Sequence, residues 1–147
     1  MLPTCMKDDQ GKIVNVVAGV VIWNEKILCV QKGAHKYEYI SYKYEFPGGK
    51  VESSETKEAA LIREIREELQ LEIQVVQQLP VVDHQYPDFR IFLQSFVCTA
   101  ANNKISLTEH IAYQWLAATE LLQLDWAAAD IPVVQKLQQL SMIDIFH

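Results

Sequence analysis

Three glutamates in one short stretch are the first residues whose type and spacing suggest chemistry. Residues 56–69 (TKEAALIREIREEL) are dense in strong helix formers. At about 100° per residue, Ile62, Ile65 and Leu69 fall in one narrow sector. Glu64, Glu67 and Glu68 fall on the opposite side, with Arg63 at its border. One face is therefore expected in a core, and the other presents three carboxylates together. Like charges at these spacings repel by about 0.2–0.5 kcal/mol per pair. The acids also stand toward the helix C-terminus, where the dipole disfavours anions. A divalent cation removes both penalties. Hard cations such as Mg²⁺ take carboxylate oxygens together with waters and substrate phosphates. Judged by the helix alone, a solvated acidic face relieved by Arg63 and Arg66 is the preferred reading.

Flanking elements must hold that face in place. Residues 14–23 (VNVVAGVVIW) are rich in β-branched side chains and read as a buried strand. Asn24-Glu25 is a short turn and 26–31 (KILCVQ) a second strand. Residues 33–45 have no steady period and read as a loop. Its Tyr37, Tyr39, Tyr42 and Tyr44 either line a ligand or pack down the loop, with packing preferred. Phe46-Pro47-Gly48-Gly49 interrupts regular structure, and its glycines let backbone approach a neighbour closely. Residues 71–82 and 90–99 read as strands joined through Tyr86-Pro87-Asp88. Asn102-Asn103 marks a turn and 111–116 a short strand. Thr119 is the expected N-cap of a short helix, TELLQL, and a last helix starts near Asp130-Ile131-Pro132. Trp115 and Trp126 are assigned to packing. The pattern is a mixed α/β domain. With no repeat or linker in sight, residues 1–147 are expected to form one domain.

Composition narrows the partners. The 147 residues are 50% hydrophobic and 22% charged, ordinary for a globular chain and unlike a disordered one. Thirteen Lys and Arg against nineteen Asp and Glu give a formal charge of −6. That balance opposes binding to a nucleic acid polymer, which rests on basic residues. A small phosphorylated ligand is compatible if cations bridge the like charges. Cys5, Cys29 and Cys98 are odd in number, far apart and form no CxxC pair, which fits a reducing compartment. The N-terminal MLPTCMKDDQ has no apolar core of a secretory signal. The longest nearly apolar run, Val14 to Trp23, is too short for a membrane helix. The expected location is cytoplasmic, away from membranes, as a monomer or homodimer.

The register around the acidic helix is more specific than the helix itself. From Gly49 to Leu71 the chain reads GKVESSETKEAALIREIREELQL. This resembles the Nudix box, Gly-x5-Glu-x7-Arg-Glu-aliphatic-x-Glu-Glu-x-Gly-aliphatic. Gly49, Glu55, Arg63, Glu64, Ile65, Glu67, Glu68 and Leu71 match, so eight of nine specified positions agree. The departure is Gln70, where the pattern has Gly. A Gly there serves a left-handed C-cap, so Gln70 implies a steric penalty of about 1–2 kcal/mol or a different helix exit. The stretches Glu45–Lys50 (EFPGGK), Tyr86–Asp88 (YPD) and Ala128–Leu137 (AADIPVVQKL) are similar to the MutT branch of that superfamily.

The resemblance implies a fold, an α/β/α sandwich around a mixed sheet, and an activity. That activity is metal-dependent hydrolysis of a nucleoside 5′-triphosphate, an oxidised purine or cytidine nucleotide among the candidates, to a monophosphate and pyrophosphate. Hydrolysis of another nucleoside diphosphate-linked substrate and a non-catalytic nucleotide-binding module are the alternatives. The resemblance further implies that Glu64, Glu67, Glu68 and the Gly48 carbonyl hold Mg²⁺ or Mn²⁺. Arg63 is implied to orient Glu64 and pair with Glu55. Lys32 and Lys50 are candidates for phosphate contact, Lys32 being as readily an ordinary surface lysine. Glu109, in SLTEHIAYQW, matches the loop glutamate that binds metal or acts as base, although a lone loop glutamate is often only solvated. Asp130 matches the position that reads the base edge, and competes with its own role as helix cap. An ionised Asp only accepts, which favours bases that offer donors. Tyr86 and Phe46 match positions near the base, with Phe46 the better fit to a core.

Overall fold

The run Ile13–Trp23 forms β1, the strand on which the sheet is assembled. The computed structural model describes residues 12–140, so Cys5 and the rest of the N-terminal segment lie outside the described residues. β1 lies parallel to β7 (Arg90–Ala100) from Ile13 opposite Arg90 to Ile22 opposite Thr99. Alternate residues of β1 enter two separate cores: Val17 and Val21 one, Ala18, Val20 and Ile22 the other. Burial on both faces explains why Val17–Ile22 is apolar throughout and does not alternate.

The remaining pairings are antiparallel. β2 (Lys26–Gln31) joins β1 through Asn24 and Glu25, both with positive φ (51° and 62°), as a tight right-twisted hairpin requires. β3 (Tyr44–Glu45) and β8 (Ala112–Leu116) pair with β2, and β4 (Gly48–Lys50) pairs with β1. β5 (Ile73–Gln78) and β6 (Val82–Gln85) pair with β7. One mixed eight-stranded sheet results. Helix α1 (Lys57–Leu69) covers one face, where Ala60, Leu61, Ile65 and Leu69 join Val17, Val21, Leu28 and Phe96. Helix α2 (Ile131–Gln139) and two 3-10 turns, Ala118–Gln123 and Ala128–Asp130, cover the other. There Val133, Val134 and Leu137 meet Ala18, Val20 and Trp126. The architecture is the α/β/α sandwich around a mixed sheet.

Several local expectations need correction. The loop read over 33–45 ends in β3, and Gly48-Gly49 opens β4, so only Phe46-Pro47 interrupts regular structure. The wheel placed Ile62 in the buried sector, but it is only partly buried, while Ala60 and Leu61 are fully buried. The helix also packs against β4, so its buried arc widens toward Glu64 and Glu68, which are partly covered, and leaves Glu67 exposed. Residues 71–82 are not one strand: the chain breaks at Leu79-Pro80 between β5 and β6, because proline has no N–H for a ladder. Thr119 does not cap the TELLQL segment. That segment is a 3-10 turn entered at Ala117, whose N–H donates to Glu120 Oε1 at 2.9 Å. Asp130 stands at the start of α2 but makes no capping hydrogen bond with its side chain. No helix among the described residues is long and apolar enough to cross a membrane.

Candidate active site

The site begins with how α1 is started and aimed. Thr56 caps it, its hydroxyl accepting from the Ala59 N–H at 3.1 Å. Just before the cap, Glu55 accepts from the Glu52 N–H at 2.9 Å. Arg63, two turns along the helix, reaches back and holds Glu55 through Nε at 2.9 Å and Nη2 at 2.7 Å. Its Nη1 donates to Glu64 at 2.8 Å and to Glu67 at 3.1 Å. Its Nη2 also points to the Lys50 carbonyl, 3.4 Å away on β4. The planar fork makes these contacts at once, which an ammonium could not. The Arg63 guanidinium, followed by the Glu52 N–H, holds the Glu55 carboxyl down to about 2.

Backbone contact sets the position of Glu64. A Cβ on Gly49 would overlap the Glu64 carboxylate, and one on Gly48 would overlap the Val17 carbonyl oxygen. Both glycines of the FPGG stretch are therefore demanded by close approach: β4 lies flush against β1 at Gly48 and against the Glu64 carboxylate of α1 at Gly49.

Glu68 completes the cluster. Burial, then the Glu64 charge, then a hydrogen-bonding approach by Glu109 push its carboxyl up to about 9. Glu109 arrives on the loop between β7 and β8, which is tied to the C-terminal end of α1. The Ser106 N–H donates to the Leu69 carbonyl at 3.1 Å, and the Thr108 hydroxyl to the Glu68 carbonyl at 3.0 Å. α1 ends at Gln70, which adopts the left-handed conformation (φ 54°, ψ 40°) and donates its N–H to the Arg66 carbonyl. The helix therefore exits as a Gly would direct it, with Gln carrying the steric penalty.

The donor set suits a hard divalent cation. Glu64, Glu68 and Glu109 crowd negative charge into a partly covered space, and Glu68 keeps its proton unless a countercharge arrives. Among the described residues no three His, Cys, Asp or Glu side chains already stand as a chelating group. Arg63 Nη1 instead bridges Glu64 and Glu67, a countercharge standing where a cation's would act.

Beside β4 opens a cleft of about 320 Å³. Lys32, Lys50, Gly48, Tyr86 and Asp130 line it, so the remaining sequence-derived site residues come together here. Asp130 is buried, and its Oδ1 accepts from the Phe46 N–H at 3.1 Å. Burial, followed by the Glu45 charge, raises its carboxyl well above the ordinary range. Phe46 is 3% exposed and packs on Trp126 at 4.7 Å, yet it also lines the cleft. The Tyr86 hydroxyl accepts from the Ala129 N–H at 3.0 Å. Its ring is stacked with Tyr39 and flanked by Phe89 and His84, so Tyr86 forms a wall more than an open stacking platform. Tyr37 and Tyr39 stack in the same pile, Tyr44 pairs in β3, and Tyr42 is exposed, so the loop tyrosines mainly pack.

Glu45, within the EFPGGK stretch, also lines the cleft, a position the sequence did not mark. It lies 3.7 Å from Lys32 and accepts from His110 Nε2 at 2.9 Å. His35 also lines the cleft. No motif or period marked either histidine.

The family model described as NUDIX domain matches residues 14–137. The chain is 33% identical over 129 residues to the CTP pyrophosphohydrolase of Escherichia coli K12, covering 88% of this chain and 94% of that protein. It is 29% identical over 117 residues to the 8-oxo-dGTP diphosphatase of the same organism, covering 80% of this chain and 89% of that protein. The solution structure of a MutT protein of the Nudix hydrolase family, from methicillin-resistant Staphylococcus aureus 252, has a TM-score of 0.70 at 40% identity. It covers 88% of this chain and 98% of that one. A cap, an arginine clamp and a carboxylate cluster in this register, on this sheet and with these relatives, mean that the chain belongs to the Nudix hydrolase family.

Proposed function

We propose that this Nudix protein hydrolyses a nucleoside 5′-triphosphate, a cytidine or oxidised purine nucleotide foremost, to the monophosphate and pyrophosphate in the presence of Mg²⁺ or Mn²⁺. The observation that carries the reading is the junction at β4. The Glu64 carboxylate of α1 lies against Gly49, and Gly48, Gly49 and Lys50 also help shape the cleft in front of Asp130. A nucleotide with its base in the cleft extends its phosphates toward the acids.

In this reading Glu64, Glu67, Glu68, Glu109 and the Gly48 carbonyl hold the cation. When bound, it neutralises phosphate charge and polarises the phosphoryl oxygens. Arg63 fixes Glu64 and Glu67 relative to Glu55. Lys32 and Lys50 supply positive charge on the approach from the cleft to the acids. Water attacks the α- or β-phosphorus, the anhydride bond between those two phosphates breaks to leave monophosphate and pyrophosphate, and the proton of the water passes to a carboxylate of the cluster.

Asp130 Oδ1 is engaged by the Phe46 N–H, and burial raises its carboxyl well above the ordinary range; a protonated Asp130 would donate as well as accept. A base that presents an acceptor beside a donor suits it. A cytoplasmic location accords with Cys29 and Cys98, both free and buried. The test is release of pyrophosphate from CTP, dCTP, GTP and 8-oxo-dGTP with Mg²⁺ or Mn²⁺. Pyrophosphate with at least one of them is expected. Release of orthophosphate alone, or no turnover with any, would overturn the reading.

A further inference from the structure

Glu109 is an exposed residue in the stretch between β7 and β8, yet it meets a partly covered carboxylate on another element. An unrestrained loop of this length would spread it over many positions, and ordering each residue's backbone costs conformational entropy. The restraint is visible in the two residues that flank it. Thr108 Oγ1 donates to the Glu68 carbonyl at 3.0 Å, tying the residue before Glu109 to α1. On the other side, the His110 ring is 5% exposed and donates from Nε2 to Glu45 Oε2 at 2.9 Å, tying the next residue to β3. The Glu45 carboxylate in turn lies 3.7 Å from Lys32 in the cleft.

Outer anchors complete the arrangement. The Ser106 N–H is held by Leu69 and the Ile111 N–H by Gln31, while Ile105 and Leu107 pack against the core under α1. The tether at His110 is not there to satisfy the ring in general, since its buried Nδ1 has no partner among the described residues. Only the nitrogen that faces Glu45 is engaged.

We propose that Thr108 and His110 are positioning residues that pin Glu109 against Glu68, and that the His110–Glu45 link ties this acid to the cleft that takes the base. The inference rests on the reading of Glu109 as a cation-holding group. Neither residue touches the reacting atoms. Each acts through Glu109, so each should matter only while Glu109 is a carboxylate.

The experiment measures Mn²⁺ affinity of nucleotide-free protein by electron paramagnetic resonance. The variants are T108V, T108S, H110L, E109Q and the double variant T108V/E109Q. Amide exchange at Ser106 and Ile111 is followed in EDTA. T108V and H110L are each expected to weaken Mn²⁺ binding about tenfold, as loss of a group that orients a ligand does. T108S should restore it, and exchange at the two amides should quicken in T108V but not in T108S. E109Q should weaken binding at least as much, and T108V should add nothing on top of it, the mark of two residues acting as one unit. If E109Q weakens Mn²⁺ binding while T108V and H110L stay within about twofold of the parent, the positioning inference is wrong and Glu109 keeps its role. An undiminished affinity in E109Q removes the role of Glu109 and this inference with it. Equal weakening by T108V in the parent and in E109Q contradicts action through Glu109. Should H110L not fold, the Thr108 variants decide alone, because that hydroxyl is exposed and Val preserves its shape.

Discussion

Arg63 and Glu55 form a two-pronged pair, Nε to one carboxylate oxygen at 2.9 Å and Nη2 to the other at 2.7 Å, across the first two turns of α1. The remaining Arg63 nitrogen is thereby left in a fixed place, where it meets both Glu64 and Glu67. One side chain thus sets the spacing of the acids before any cation is present.

Replacing Arg63 with Lys keeps the charge and discards the fork. Turnover should fall by at least about tenfold, since a point charge cannot hold Glu55 and orient two further acids together. Steady-state kinetics on R63K checks this.

Glu55 itself predicts an acid limb. Its folded carboxyl lies at about 2 against an ordinary 4.5, so its stabilising contribution is present above 4.5 and is lost as pH falls toward 2. Thermal melts of E55Q should show a shallower loss of stability across that window than the parent. Identical acid limbs would contradict the clamp.

Glu68 predicts the opposite slope in metal-free protein. A carboxyl raised to about 9 contributes most while protonated and loses that contribution as pH rises from about 4.5 through 9. In EDTA the melting temperature should decline across this range. E68Q should flatten the decline, leaving the slope of the same sign that Asp130 contributes. Equal slopes in the two proteins would count against crowding of the acids.

Gln70→Gly tests the helix exit. The left-handed φ of 54° penalises a side chain, and glycine removes the penalty at the expense of greater freedom in the unfolded chain. A net gain of about 0.5–1 kcal/mol is expected, read as a higher denaturation midpoint with turnover unchanged.

What the sequence made legible divides along physical lines. β2 came out at the expected bounds, 26–31, and α1 within one residue of the expected start, because local period and capping chemistry determine them. The acids of α1 and their Arg63 partner were readable for the same reason: they lie within a few turns of one helix. Asp130 was placed at the start of α2 correctly, but its side-chain partner is the Phe46 N–H, 84 residues away. No periodicity encodes a contact across the sheet. The His110–Glu45 pair, 65 residues apart, was hidden likewise. Leu61 lies one turn before Ile65 on the same helix face and was as readable as Ile65.

If the carboxylate face of α1 is a cation site that drives turnover, substitution of Glu67 and Glu68 by Gln must disable the protein. Turnover with Mg²⁺ should fall by at least about two orders of magnitude in each, comparable with loss of a strong electrostatic stabiliser. In EDTA at neutral pH, E68Q should melt at or above the parent, because crowding with Glu64 and Glu109 is relieved. E67Q should stay within about 0.5 kcal/mol, since its pair with Arg63 is exposed. Turnover near that of the parent in both variants would contradict the account.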